Sequence, residues 1–306
     1  MAISAKDVME LRKQTDCGMM ECKKALTEAD GDFTKAVELL RERGLATAQK
    51  KAGRIAAEGM VYADYCEKCK VGVVLEVNAE TDFVAKNDKF VNFVQELTKV
   101  IMQANPADVE ALMNCKMGDG TVTDALNGLI LIIKENIKVR RFVRYEGHCA
   151  AYVHGGGTHA VLVDFNTTDE VAAKPEFVAY GKDIAMQIAA ANPSYVRSEE
   201  VPADVLDKEK EIMLAQMAND PKTANKPDAV KEKMIVGKIN KFYKESCLID
   251  QEFVKDSSLD VKGYTAKVAK ELGGNIEIVK FTRFQKGEGL ETREDDFAAE
   301  VASMIH

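Results

Sequence analysis

Apolar residues recur at helical spacing in three short bursts over the first fifty positions, each closed by a breaker. Ser4 precedes a burst carrying Val8 and Leu11, which predicts a capped helix interrupted by Asp16-Cys17-Gly18. Met19, Cys22, Ala25 and Leu26 repeat at the same period in a second helix. After Asp30-Gly31-Asp32, Asp32 is placed to cap a third, with Phe33, Ala36, Val37 and Leu40 inward and its end expected at Gly44. A three-helix unit this small lies near the lower limit of independent stability and reads as a docking module. From Leu45 to Gly59, Ala and Lys without apolar periodicity predict a solvated connector.

The pattern then turns to alternation and repeats itself. Val74 to Pro106 lies over Val161 to Pro193 without a gap, at an offset of 87 residues. Val74/Val161, Leu75/Leu162, Thr81/Thr168, Asp82/Asp169, Val84/Val171, Phe90/Phe177, Ile101/Ile188 and Asn105-Pro106/Asn192-Pro193 are among the identities. Upstream, Glu58-Gly59 matches Glu146-Gly147 at nearly the same offset. Two copies of one unit are the simplest account. In each, two β runs (Met60 to Tyr65 with Val71 to Val77; Cys149 to Val153 with His159 to Phe165) precede a turn and a long amphipathic helix. Hairpins followed by helices predict an α+β fold with antiparallel sheets covered by helices on one face.

Further helices are expected at Ala107 to Asn114 and Thr123 to Ile133, with a strand at Val139 to Tyr145. Val201 to Ala218 and Asp228 to Tyr243 read as a helical hairpin that could zip into a coiled coil through Val205, Ile212, Met213, Met217, Val230, Met234 and Ile239. The tail adds a helix at Val261 to Leu272, a strand at Ile276 to Phe284, a Gly287-Glu288-Gly289 turn and a helix at Glu294 to Met304. The expected division is 1–55, an N-terminal helical module with its connector; 56–146, core subdomain 1; 147–200 with 247–285, core subdomain 2; 201–246, the coiled coil; and 286–306, a C-terminal helical module.

Charge and chemistry narrow the function. At 306 residues the chain is long enough for two domains, and its net charge of −8 disfavours direct nucleic-acid binding. No apolar run is long enough to span a membrane, and the charged N-terminus reads as neither signal nor transit peptide. Seven scattered cysteines do not resemble a secreted disulfide scaffold, so a reducing, cytoplasmic compartment is expected. Phosphate-loop, dinucleotide, zinc-protease and nucleophile-elbow motifs are missing. The His154-Gly155-Gly156-Gly157 run reads as a hairpin turn.

Cys66-Glu67-Lys68-Cys69 has metal or redox spacing but falls between two β runs, where redox chemistry would want a helix N-terminus. Two small residues in a hairpin loop is the leading reading. A zinc site shared with His148 and Cys149, at the hairpin taken as equivalent in the other copy, and a redox pair compete with it. Met19 and Met20 are adjacent on one helix and cannot both face a core, so one is expected outside. At Thr81-Asp82-Phe83-Val84 the repeat serves as a control: the other copy reads Thr168-Asp169-Glu170-Val171, so the fold does not require an aromatic at position 83. Phe83 is expected to face solvent and a partner.

Gly18-Met19-Met20-Glu21-Cys22-Lys23-Lys24-Ala25-Leu26, Thr81-Asp82-Phe83-Val84-Ala85-Lys86 after Glu76-Val77-Asn78, and Phe297-Ala298-Ala299-Glu300-Val301-Ala302 together resemble the elongation factor Ts family, in order and along essentially the whole chain. The resemblance implies a bacterial guanine-nucleotide exchange factor for elongation factor Tu. It would have a ubiquitin-associated-like N-terminal module, two similar core subdomains, a protruding coiled coil and a C-terminal helical module. It also implies that Phe83, with Thr81, Asp82 and Val84 in its turn, would insert into the Tu nucleotide-binding domain and dislodge Mg²⁺. Met19 and Met20 would grip the same domain, and the region of His154 another. No covalent chemistry and no cofactor of its own are implied, only GDP, GTP and Mg²⁺ on the partner. A homodimer or a Tu2Ts2 assembly stays open, as do the alternatives of a protein-binding scaffold and a Cys66/Cys69 metal protein.

Overall fold

The computed structural model describes residues 3–224 and 226–291. Ser4 opens α1 (Ala5–Thr15) with a reciprocal cap: its hydroxyl accepts the Asp7 N–H, and the Asp7 carboxylate accepts the Ser4 N–H. Asp16, left-handed at φ 57°, ends the helix before α2 (Met19–Glu28), and Asp32 caps α3 (Phe33–Lys51) as the sequence suggests. Gly44 does not end α3. The helix runs on through half of the expected connector, and Gly44 is buried where a Cβ would stand 3.0 Å from the carbonyl oxygen of Asn127. The glycine that reads as a stop is a crossing point between helices.

The first repeat follows in the expected order: β1 (Glu58–Cys66), β2 (Val71–Ala79), the single-turn α4 (Asp82–Ala85), α5 (Asp88–Ala104) and α6 (Val109–Met113). A small hairpin that alternation does not reveal, β3 (Lys116–Met117) with β4 (Gly120–Thr121), leads into α7 (Val122–Ile133), and β5 (Lys138–Glu146) closes an antiparallel sheet of order β1-β2-β5. The apolar run of α7 has two destinations. Leu129 and Ile130 enter the core of this repeat, while Leu131 joins Leu11, Leu26 and Leu40 in the core of α1 to α3. The N-terminal unit, too small to close its own core, borrows a residue from its neighbour.

The second repeat has β6 (His148–His154), β7 (His159–Asn166), α8 (Asp169–Ala172) and α9 (Pro175–Ala191). The helical hairpin α10 (Ala203–Asn219) and α11 (Asp228–Ser246) interrupts it. The chain returns through β8 (Glu252–Phe253), β9 (Asp256–Asp260), α12 (Val261–Leu272) and β10 (Glu277–Gln285), which completes a sheet of order β10-β7-β6. The Asn-Pro stops behave alike, Asn105 and Asn192 both ending their helices in the left-handed region at φ 47° and 45°. In the helical hairpin Met213 and Met217 are buried, whereas Ile212 and Val230 are 42% and 41% exposed. These two therefore lie off the expected seam. The expected helix at Glu294 to Met304 lies outside the described residues.

Each sheet carries its own helices on one face and the other sheet on the second. Val73, Leu75 and Val77 of β2 pack on α5 and α7, while Val74 packs against Ala160 and Leu162 of β7. Both faces are covered, which is why β2 is buried along its whole length. The packing corrects the repeat alignment. In the hairpins Cys66 pairs with Val71 as His154 pairs with His159, an offset of 88, while the turns and long helices keep 87. The identities Val74/Val161 and Leu75/Leu162 therefore join residues on opposite sheet faces, since a one-residue slip reverses a strand.

With the offset set at 88, Glu76 matches Asp164, and both face a cross-strand base: Glu76 is paired in register with Arg141, Asp164 with Lys280. Arg141 then lies 4.1 Å over the Phe284 ring and Lys280 4.3 Å over the Tyr145 ring. Base and aromatic exchange partners reciprocally, the geometry of a twofold interface realised within one chain.

Candidate partner-binding site

The strand-to-helix turn of the first repeat is held rigidly at its base. Thr81 donates its N–H and hydroxyl to the two carboxylate oxygens of Glu135 at 3.0 and 2.7 Å. The Asn136 N–H donates to Glu80 at 2.6 Å, and Arg54 pairs with Glu80 at 3.4 Å. Val84 is 5% exposed and anchors α4 in the core. Asn87 caps α5 by accepting the Lys89 N–H. Between these anchors Phe83 is 78% exposed, the only exposed phenylalanine among the described residues, with Asp82 beside it facing Lys86 at 3.7 Å. In the second repeat Thr168 instead caps α8, Val171 is buried and Glu170 is exposed, so the matched position faces water in both copies.

Lys89, two residues past Asn87, reaches Asp16 at 3.4 Å. This ion pair brings the turn before α2 to the start of α5. The start of α2 and the Phe83 turn therefore belong to adjoining parts of the surface. Met19 is 40% and Met20 63% exposed. The sequence requires only one of the two outside; both are, and the inward positions of α2 are taken by Cys22, Ala25 and Leu26. His154 lies elsewhere, exposed at the β6–β7 tip, where Nδ1 is 2.9 Å from the Tyr152 hydroxyl. The glycines after it have a structural reason: Gly157 has φ 101°, a Cβ there would meet Met60 Cβ at 2.7 Å, and its carbonyl accepts the Val61 N–H.

Cys66 and Cys69 close the β1–β2 tip, their sulfurs paired as a disulfide with Cα atoms 5.6 Å apart. His148 and Cys149 are not at the matching tip; they begin β6, at the opposite end of that hairpin. Among the described residues no three His, Cys, Asp or Glu side chains gather as metal ligands. No helix there is long and apolar enough to cross a membrane.

Three polar anchors are not apparent in the sequence. Glu135 follows a helix stop and carries no motif. Lys70 and His148 both reach Asp169, at 2.7 and 2.9 Å, and the Lys70 hydrogen bond holds the Asp169 carboxyl below its ordinary pKa. Glu76, fully buried, accepts from Asn78, Arg140, Arg141 and the Gly287 N–H. A charged residue inside an apolar strand is a readable signal, but its partners in β5 and beyond β10 come from segments 64 to 211 residues away.

A modular α+β protein is defined by this arrangement: two repeats packed as a pseudo-twofold pair, a three-helix unit laid on the first, and an aromatic presented from a braced turn. The family model for Elongation factor TS matches residues 80–288. Elongation factor Ts of Symbiobacterium thermophilum is 50% identical over 304 residues, covering 98% of this chain and 97% of the relative. Those of Clostridium botulinum strain Alaska E43 and Trichlorobacter lovleyi are each 47% identical, over 99% of this chain and 99% and 98% of theirs. The chain belongs to the elongation factor Ts family of translation elongation factors.

Proposed function

We propose that the chain is the guanine-nucleotide exchange factor of elongation factor Tu, acting in the bacterial cytoplasm without covalent chemistry and without a cofactor of its own. The observation that carries the reading is Phe83, 78% exposed on a turn whose repeat mate bears Glu170. A phenylalanine kept in water gains about 2 kcal/mol on entering an apolar pocket, and its braced turn loses little entropy in doing so. In this reading Phe83 enters the nucleotide-binding domain of Tu with Asp82 alongside, while Thr81 and Val84 hold the turn from behind. The inserted turn displaces the elements that hold Mg²⁺, so the phosphate charge of GDP loses its counter-ion and affinity falls. Linkage closes the cycle: a partner that binds empty Tu more tightly than GDP-loaded Tu weakens GDP by the same factor.

Met19 and Met20, on the ubiquitin-associated-like N-terminal module, supply an adaptable apolar contact to the same domain. The tip near His154 meets a second Tu domain, and the helical hairpin α10–α11 extends the contact, with a homodimer or a Tu2Ts2 complex as the assembly. The deciding experiment follows release of a fluorescent GDP from Tu with catalytic amounts of this chain, beside Phe83→Ala and Glu170→Ala. Acceleration lost on the order of tenfold or more in Phe83→Ala, matching about 1.4 kcal/mol or more of lost contact, and retained in Glu170→Ala is expected. No acceleration by the unmodified chain would overturn the reading and leave a binding scaffold.

A further inference from the structure

The β1–β2 tip carries chemistry that neither the fold nor the exchange reading uses. The matching tip of the second repeat, His154 to Thr158, has no cysteine, so the hairpin does not require Cys66 or Cys69. The remaining cysteines are set apart from these two. Cys17, Cys22, Cys149 and Cys247 are buried and Cys115 is half-buried. Burial pushes the Cys149 thiol up to about 12 and that of Cys247 up to about 11, which suppresses thiolate chemistry at both. Cys69 is exposed and Cys66 half-buried, with their Cα atoms at a separation typical of bonded cysteines. The Cys69 N–H donates to Cys66 Sγ at 3.4 Å, and Lys68 and Lys70 flank Cys69 in the sequence. The tip is also fixed in space, since the Lys70 carbonyl accepts the Gly147 N–H and the Lys70 amine holds Asp169 of the second repeat.

We propose that Cys66 and Cys69 form a reversible thiol–disulfide site that equilibrates with low-molecular-weight disulfides such as oxidised glutathione. The exposed Cys69 thiolate attacks one sulfur of oxidised glutathione and expels one glutathione thiolate, forming a mixed disulfide. Cys66 then loses its proton and attacks the Cys69 sulfur, expelling the second glutathione. The pair loses two electrons and two protons, and one glutathione disulfide becomes two glutathione thiols. Reduced glutathione runs the same steps backward. Disulfides of this kind in a reducing compartment are transient and report the redox state.

The test equilibrates the full chain with glutathione buffers of increasing oxidised fraction, quenches in acid, labels thiols with a maleimide under denaturing conditions and reads intact and peptide masses. Both labels are expected to disappear together from the peptide holding Cys66 and Cys69 and to return with dithiothreitol, while the five other cysteines stay labelled. In Cys66→Ser the second displacement has no nucleophile, so Cys69 should stop at the glutathione adduct. Full labelling of Cys66 and Cys69 in the most oxidised buffer would overturn the proposal. So would bonding to another cysteine, or protection of both thiols by one equivalent of zinc, which would make the pair metal ligands. The readout does not involve nucleotide exchange, so it stands or falls separately from the function proposed above.

Discussion

Phe83 and Val84 are neighbours with opposite fates, and their substitution separates binding from stability. Phe83 has almost no native contact to lose, so Phe83→Ala should leave the urea unfolding free energy within about 0.5 kcal/mol. Val84→Ala removes two buried carbons and should cost about 2 kcal/mol. A large loss in Phe83→Ala would show the ring packed on its own fold. Asp164 makes a second test at this scale. Burial between the sheets raises its pKa, with Lys280 and His148 partly offsetting. A carboxyl raised in the folded state holds its proton more firmly there than in the unfolded chain. Its contribution is thus most favourable below the ordinary value of about 3.9 and is lost as pH rises through the raised value. Asp164→Asn does not titrate, so its stability relative to the parent should increase between those two values and then level off. Denaturant titrations of both proteins from about pH 3 to 7 would check this, and a difference independent of pH would refute it.

Among the elements, glycines that look alike in sequence have opposite meanings. Gly44 lies inside α3 against the Asn127 backbone, whereas Gly237 lies inside α11 with open space where a Cβ would stand. Gly44→Val should push α3 off α7 and cost about 1–3 kcal/mol, while Gly237→Ala should stabilise the helical hairpin by about 0.5–1 kcal/mol through helix propensity. Thermal unfolding followed by circular dichroism would order the three proteins. Caps, strands and the repeated turn were legible because each rests on residues a few positions apart: Ser4 with Asp7, Asn105 before Pro106, Thr81 to Val84. The continuation of α3 through Gly44 was not, because a glycine reads as a stop unless the opposing helix is known. Nor was the seam of the hairpin, where Ile212 and Met213 are equally apolar and only the partner helix decides which turns inward. The site was legible at Phe83 through the repeat, and illegible at Glu135 and Lys89, whose partners are 54 and 73 residues away.

For the whole molecule, the face shared by the two sheets makes separate folding of the repeats unfavourable. Val61, Val74, Leu162 and Phe284 form one apolar cluster across it, and the buried Glu76 joins Arg140 and Arg141 of β5 to the Gly287 backbone beyond β10. Separation would expose that cluster to water and strip a buried carboxylate of one donor, so both repeats should unfold in a single transition. Gly72 is the point at which to break the coupling. A Cβ there would stand 2.5 Å from Leu162 Cδ1 and 3.1 Å from Cys149 Cβ, all on the shared face. Gly72→Val therefore forces the sheets apart while leaving the helix-covered faces of both intact. Calorimetry of the parent should give equal calorimetric and van't Hoff enthalpies for the repeats, and Gly72→Val should split the transition in two. Gly274→Val is the control, because its Cβ would clash with the Val171 side chain inside the second repeat alone. With the shared face intact, it should lower the melting temperature of the single transition without splitting it. A single, merely shifted transition in Gly72→Val would mean that the polar links through Glu76, Lys70 and Asp169 suffice to hold the repeats together without close sheet packing.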